Sequence, residues 1–108
     1  MRVELLWWEG CPSSDEAIEL VREQMGAAGL DPDSLEVREV RDDAEAERER
    51  FPGSPTVRVE GIDAVDPKGA PIGLTCRVYR LRDGRISALP DPEDVAAALA
   101  AAQDEDGD

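Results

Sequence analysis

Residues 2–14 read RVELLWWEGCPSS and contain the clearest structural signal in the chain. Over residues 2–8, one face of an extended strand would carry Val3, Leu5 and Trp7, and the other would carry Leu6 and Trp8. Apolar residues on both faces indicate a central strand that is covered by helices on each side. A turn at 9–12 then leads into a helix over 13–28, so Cys11 is predicted to lie at the start of that helix.

The patterns that follow alternate between helices and strands. Ser13 and Glu16 fit a capping box at the start of the first helix. The later predicted elements are a strand at 35–40, a short helix at 42–51, strands at 56–60 and 73–80, and a helix at 91–102. A connection rich in Gly, Pro and Asp at 61–72 separates the last two strands.

The element order β-α-β-α-β-β-α predicts one α/β domain over residues 1–102. Helices between the early strands imply a parallel βαβ unit, and the last two strands can form an antiparallel hairpin. We therefore expect a central, mixed four-stranded sheet that is flanked by helices. The final residues, 103–108, read QDEDGD, and we expect them to form a disordered acidic tail.

The turn around Cys11 resembles the active-site turn of thioredoxins and glutaredoxins. Gly10-Cys11-Pro12-Ser13-Ser14 follows a hydrophobic strand and precedes a helix, as in those families. Cys11 matches the attacking cysteine of their Cys-x-x-Cys motif, and Ser14 stands where the second cysteine would be. The pattern is similar to the Cys-x-x-Ser of monothiol glutaredoxins.

A second motif, Gly53-Ser54-Pro55-Thr56, resembles the Gly-x-Pro-Thr segment of thioredoxins, whose proline is cis and lies against the active-site cysteine. The resemblance implies that Pro55 shapes the pocket and that the Ser54 backbone aligns a bound partner. With residues 73–79, GLTCRVY, the order GCP, GSPT and GLxCRxY also resembles a group of small bacterial thioredoxin-like proteins. We therefore expect a thioredoxin-like fold.

Cys11 is predicted to be a nucleophile. A sulfur at a helix N-terminus faces unpaired backbone N–H groups, which favour the thiolate and lower the pKa of the thiol. Repulsion from Glu9, Asp15 and Glu16 opposes this effect, and we expect a modest net lowering of the pKa. The predicted catalytic residues are Cys11, Ser14 and Pro55, and the predicted substrate-binding residues are Ser54, Trp8 and Pro12.

Ser14 cannot resolve a mixed disulfide, so a second thiol is needed for a redox cycle. A small thiol such as glutathione, or Cys76 if it comes close, would resolve the mixed disulfide; otherwise Cys11 acts only as a binding thiolate. Cys76 alternates with Leu74 and Val78, which predicts a buried core residue on a strand remote from Cys11. We therefore expect Cys11→Ser to abolish exchange and Cys76→Ser to leave most of it.

Composition excludes several classes of function. The chain has no histidine, which removes His-based triads and zinc sites. Its 12 basic and 26 acidic residues give a net charge of −14, which disfavours nucleic acid and anionic membranes as partners. Two widely separated cysteines favour free thiols in the cytoplasm, and we expect no resident metal or cofactor.

Three functions fit these observations. The first is thiol–disulfide exchange or mixed-disulfide reduction by Cys11, with a protein or a small molecule as the disulfide partner. The second is capture of a soft metal or an organomercurial by thiolates, which requires both cysteines to converge. The third is a thioredoxin-like adaptor without catalysis, which an unreactive Cys11 would indicate.

Overall fold

A computed structural model gives the structure of the protein and describes the backbone of residues 1–106 and the side chains of residues 1–104. The helices are α1 (Ser14–Ala27), α2 (Asp43–Glu49) and α3 (Pro92–Asp106). The strands are β1 (Val3–Trp7), β2 (Glu36–Glu39), β3 (Thr56–Val59), β4 (Ile62–Asp63), β5 (Tyr79–Arg80) and β6 (Ile86–Ser87).

Four strands form one mixed sheet in the order β2-β1-β3-β4. β1 is parallel to β2 and antiparallel to β3, so the crossover from β1 to β2 runs through α1. β3 and β4 form an antiparallel hairpin, and β5 and β6 form a separate two-stranded sheet. The predicted mixed four-stranded sheet with three flanking helices is confirmed.

The two faces of β1 support two separate apolar clusters. One cluster packs α1 and α3 against the sheet and includes Leu5, Val21, Met25, Val95 and Leu99. The other lies beneath α2 and includes Leu6, Val40, Ala46 and Phe51. Trp7 packs against the first cluster and Trp8 against the second, as the alternation along residues 2–8 predicts. β1 is therefore the covered central strand.

The fourth strand of the sheet differs from the prediction. The sequence placed it at 73–80, whereas Ile62–Asp63 fills that position directly after β3. Glu60 and Gly61 both have positive φ, 53° and 78°, which allows the tight two-residue turn that pairs Val59 with Ile62. Glu-Gly is a weaker turn signal than Asn-Gly or Asp-Gly, so the hairpin was missed.

The last helix is longer than predicted. α3 continues through Asp106, four residues beyond position 102, where the sequence predicted its end. The side-chain amide of Gln103 donates to the carbonyl oxygen of Ala28 at 2.7 Å, which ties this last turn to the end of α1. The rest of the predicted tail, 107–108, lies outside the described residues. Within residues 1–106, no helix has the length and apolar character needed to cross a membrane.

Candidate active site

Cys11 lies in the turn between β1 and α1. The turn closes through a hydrogen bond of 3.1 Å from the backbone N–H of Cys11 to the carbonyl oxygen of Trp8. Three residues later α1 begins, so the sulfur lies at the positive end of a 14-residue helix. Cys11 is only 5% exposed, whereas the sequence predicted an exposed thiol. The burial follows from Ser13, Ser54 and Cys76, which surround the sulfur.

Hydrogen-bond donors around the Cys11 sulfur favour its ionised form. Its Sγ atom lies 3.2 Å from the Ser13 hydroxyl, which can donate to a thiolate, and the protonated thiol donates to the carbonyl oxygen of Ser54 at 3.5 Å. Burial acts to raise the pKa of Cys11, but hydrogen bonds from the hydroxyl and backbone of Ser13, from Cys76 and from the Ser54 side chain lower it below its ordinary value. The net effect is a larger thiolate fraction at Cys11.

Ser13, not Ser14, contacts the thiol. Because the Ser13 hydroxyl is directed at Cys11, it makes no capping hydrogen bond to α1, and the predicted capping box with Glu16 is wrong. The Ser14 hydroxyl donates to the carbonyl oxygen of Cys11 at 3.3 Å, so it supports the turn and does not touch the sulfur. The contact with the sulfur therefore comes from Ser13, which was predicted to cap the helix, and not from Ser14, which was predicted as the catalytic residue.

The Ser54–Pro55 peptide bond is cis, and Pro55 is fully buried. The Ser54 side chain connects this segment to the Cys11 turn, because its Oγ atom accepts a hydrogen bond of 3.0 Å from the backbone N–H of Trp8. The Thr56 hydroxyl donates to the carbonyl oxygen of Gly53 at 2.7 Å. The two predicted motifs therefore meet at Cys11.

The segment Thr75–Arg77, which we call the strap, binds the backbone of Ser54 on both sides. The Ser54 N–H donates to the carbonyl oxygen of Thr75 at 2.8 Å, and the Arg77 N–H donates to the carbonyl oxygen of Ser54 at 2.8 Å. These bonds form an isolated parallel bridge between Ser54 and Cys76. The Ser54 backbone was predicted to pair with a bound partner. In this conformation it cannot do so, because its N–H and its carbonyl oxygen are already bonded to the strap.

Cys76 lies beside Cys11 and is exposed, in contrast to the prediction of a remote core residue. The alternation with Leu74 and Val78 failed because residues 74–78 do not form a strand of the central sheet. The Cys11 side chain, through a hydrogen bond, raises the pKa of Cys76, and burial adds to this effect. The two thiols thus divide their roles: Cys11 favours the thiolate and Cys76 keeps its proton.

Arg77 anchors the strap, and sequence reasoning missed it. Its buried guanidinium forms an ion pair of 2.8 Å with Asp63 and donates to the carbonyl oxygen of Val65. The same guanidinium lies 4.5 Å from the centre of the Tyr79 ring. It also donates to the Thr56 hydroxyl at 3.2 Å, which joins the strap to the cis-proline segment. An arginine next to a cysteine gave no sequence signal of this buried role.

Tyr79 reinforces the same connection. Its hydroxyl donates to the carbonyl oxygen of Pro55, and its ring is 3% exposed. Burial strongly raises the pKa of this phenol, so Tyr79 stays protonated and acts as a donor. The strap is thus held to the cis-proline segment at Ser54 and Thr56, and Tyr79 adds a contact with Pro55 just after the strap.

A cavity of about 680 Å³ opens beside Cys76. Its walls combine apolar residues with cations, including Pro52, Ile72, Leu74, Val78, Lys68 and Arg80. All of its lining residues fall within 52–80, so the cavity adjoins Cys76 and does not reach Cys11. Its volume lies in the range of small-molecule sites.

The remaining predicted contact residues flank the turn. Pro12 is exposed, and Trp8 is partly buried against the cluster that includes Leu6 and Phe51. A Cβ atom at Gly10 would overlap the Trp8 indole ring, so glycine at this position allows the indole to cover the turn. Trp8 therefore supports the turn that carries Cys11.

Comparisons of the chain with protein-family models, with curated proteins and with solved structures find no match.

Proposed function

We propose that the protein is a thiol-dependent redox protein in which Cys11 is the nucleophile of thiol–disulfide exchange. One observation carries the proposal: the Cys11 sulfur lies at the start of α1, 3.2 Å from the Ser13 hydroxyl, in surroundings that lower the pKa of Cys11. A thiolate, not a thiol, attacks disulfides. If it turns over, the protein is a thiol–disulfide oxidoreductase.

The strand order supports a thioredoxin-like fold as part of this proposal. The strands lie in the order β2-β1-β3-β4, β1 is parallel to β2, and β3 is antiparallel to both of its neighbours. This arrangement fits the mixed four-stranded sheet that we expect from the resemblance. The Cys11 turn follows the central strand β1, and the cis Ser54–Pro55 bond precedes β3. The likeness of the site to thioredoxins rests on these placements.

In the proposed step, the Cys11 thiolate attacks one sulfur of a disulfide R–S–S–R. A bond forms between Cys11 and R–S, the S–S bond of the substrate breaks, and R–S⁻ leaves. A thiol, such as glutathione or another small thiol as co-substrate, then attacks the sulfur of the bound R–S group, forms a new disulfide with it and releases the Cys11 thiolate. This chemistry needs no resident cofactor, and free thiols of this kind persist in a reducing compartment such as the cytoplasm.

The low exposure of Cys11 favours small-molecule disulfides as the first substrates to test. A protein disulfide would need the strap to leave the Ser54 backbone before its own backbone could pair there. A small disulfide needs only a path to the sulfur. Small-molecule and protein disulfides are both candidate partners. Movement of the strap should limit the rate of exchange only with a protein disulfide.

The test is reaction with a small aromatic disulfide that releases a coloured thiolate. The wild-type protein, Cys76→Ser and Cys11→Ser are compared at neutral pH. We expect the first thiolate to appear at a similar rate with the wild type and Cys76→Ser, and at least tenfold more slowly with Cys11→Ser, because a cysteine without the surroundings of Cys11 is mostly protonated at neutral pH. A rate that does not depend on Cys11 contradicts the proposal and favours an adaptor role.

A second candidate function is the capture of a soft metal ion or an organomercurial. The convergence of Cys11 and Cys76 at Ser54 favours it, because two thiolates supply the linear coordination that mercury prefers. Within the described residues, no group of three or more Cys, Asp or Glu residues converges on a metal site, so the pair would act alone. Titration with Hg²⁺ should give one tight equivalent that either cysteine substitution removes. Two weak, independent sites would rule this candidate out.

A further inference from the structure

The strap places the thiol-bearing residue Cys76 opposite Ser54, where the resemblance to thioredoxins places a bound partner. Both backbone hydrogen-bonding groups of Ser54 are taken by Thr75 and Arg77, which leaves Cys76 directly opposite Ser54. Paired strands lie about 4.8 Å apart, so the backbone of Cys76 is held at that distance from Ser54. The Cys11 sulfur contacts the same Ser54 carbonyl oxygen at 3.5 Å. Ser54 thus holds both cysteines against one peptide group.

We propose that Cys76 is the resolving thiol of Cys11 and that the two residues form an intramolecular disulfide. The inference rests on the proposed function of Cys11 and specifies how its mixed disulfide is resolved. Ser14 occupies the usual position of a second cysteine in the turn but contacts only the carbonyl oxygen of Cys11. The resolving sulfur therefore comes from the strap.

The distribution of protons in the pair suits this order of events. Before reaction, Cys11 raises the pKa of Cys76 while the pKa of Cys11 itself is lowered, so Cys11 attacks first and Cys76 keeps its proton. Once Cys11 carries R–S, its negative charge is lost, and the raised pKa of Cys76 loses its largest cause. Cys76 then ionises more readily at the moment when its thiolate is needed.

The resolving step balances as follows. The Cys76 thiol releases its proton, and its thiolate attacks the Cys11 sulfur. A bond between the two cysteines forms, the bond between Cys11 and R–S breaks, and R–S⁻ leaves and takes up a proton. Over both steps the two protein thiols lose two electrons and two protons, and R–S–S–R becomes two thiols. An external dithiol, or two monothiols, reduces the protein disulfide again.

The experiment measures thiolate release and protein mass after reaction with the same aromatic disulfide. The chain has only two cysteines, so every product can be counted. The wild type should release two thiolates per chain and end as a monomer without adduct, lighter by two hydrogen atoms, with a peptide linking residues 11 and 76. Cys76→Ser should release one thiolate and accumulate the Cys11 adduct.

The rate of the second release gives an independent readout. In the wild type this rate should not depend on protein concentration. It should be about tenfold or more higher than the rate in Cys76→Ser to which a monothiol is added at the same concentration as the protein. The reason is that two reactants in one molecule have a high effective concentration. Ile86→Ser, which changes an exposed residue on β6 outside the cavity, should behave as the wild type.

The two proposals fail in different ways. If Cys76→Ser forms no Cys11 adduct, the proposed function of Cys11 is wrong. If that adduct forms but the wild type ends with two separate adducts, or with one adduct and no linked peptide, Cys11 is a nucleophile and the resolving role of Cys76 is wrong. A disulfide-linked dimer as the main product also contradicts the intramolecular pair.

Discussion

Ser54 pairs with Cys76 in an isolated parallel β-bridge, and the carbonyl oxygen of Ser54 also lies 3.5 Å from the Cys11 sulfur. One residue therefore positions the thiol of the first turn and the thiol of the strap. This arrangement depends on contacts between segments that are far apart in the chain, and it defines the chemistry that we propose.

The hydrogen bond from Ser13 should control the ionisation of Cys11. Ser13→Ala removes the hydroxyl 3.2 Å from the sulfur and should raise the pKa of Cys11, because this hydroxyl is the strongest of the groups that lower it. Ser14→Ala is the matched control and should leave the pKa unchanged, since its hydroxyl contacts a backbone carbonyl. Thiolate absorbance against pH measures both. Equal shifts in the two variants would contradict the assignment of Ser13.

Gly10 should be required for the packing of Trp8. In Gly10→Ala the new methyl group overlaps the indole, and the displacement should destabilise the fold by about 2 kcal/mol. Gly73→Ala is the control, because a Cβ atom there meets no neighbour within 4 Å. Denaturant unfolding followed by tryptophan fluorescence measures both. A Gly10→Ala protein as stable as Gly73→Ala would show that the indole moves aside at no cost.

Arg77 should hold the strap in place. Arg77→Met leaves the Asp63 carboxylate without its ion-pair partner and removes the hydrogen bond to Thr56. The free energy of unfolding should therefore fall by about 3 kcal/mol. Arg80→Met, on the next strand, changes an exposed residue and should alter stability by less than about 0.5 kcal/mol. Equal effects of the two substitutions on the midpoint of urea unfolding would refute the anchoring role.

Tyr79 should ionise only when the protein unfolds. Burial raises its pKa, so the neutral phenol contributes stability that is fully present below the ordinary tyrosine pKa and is lost as the pH rises towards the folded-state value. The chain has a single tyrosine, so tyrosinate absorbance reports on this residue alone. We expect that absorbance and the loss of helical circular dichroism to rise together at alkaline pH. Tyrosinate in a protein that is still folded would contradict the burial of the hydroxyl.

The elements around β1 were predictable because their signals are local. Alternation in residues 2–8 gave the covered strand, and helical spacing gave Val95 and Leu99 as core residues of α3. The placement of Cys11 before a helix also followed from local order. Each of these features depends on a few consecutive residues and the period of one element.

The features that were missed depend on tertiary contacts. Cys76 shows the alternation of a core strand. Its neighbours Thr75 and Arg77, however, form hydrogen bonds with Ser54, and these bonds hold Cys76 at the surface beside Cys11. The sequence assigned the Ser13 hydroxyl to the cap of the first helix, and only the folded turn directs it to the sulfur. Arg77 is buried by partners at 56, 63 and 65, which no local pattern links to it.

The most direct test of the account is the rate at which each cysteine of the native protein is alkylated as the pH is raised, with the products separated by peptide mass. We predict that Cys11 reacts in the folded state and that its rate reaches half its maximum below the ordinary pKa of a cysteine, whereas Cys76 does so above it. Alkylation of Cys11 only after denaturation, or a Cys11 midpoint above that of Cys76, would contradict the assignment of Cys11 as the nucleophile.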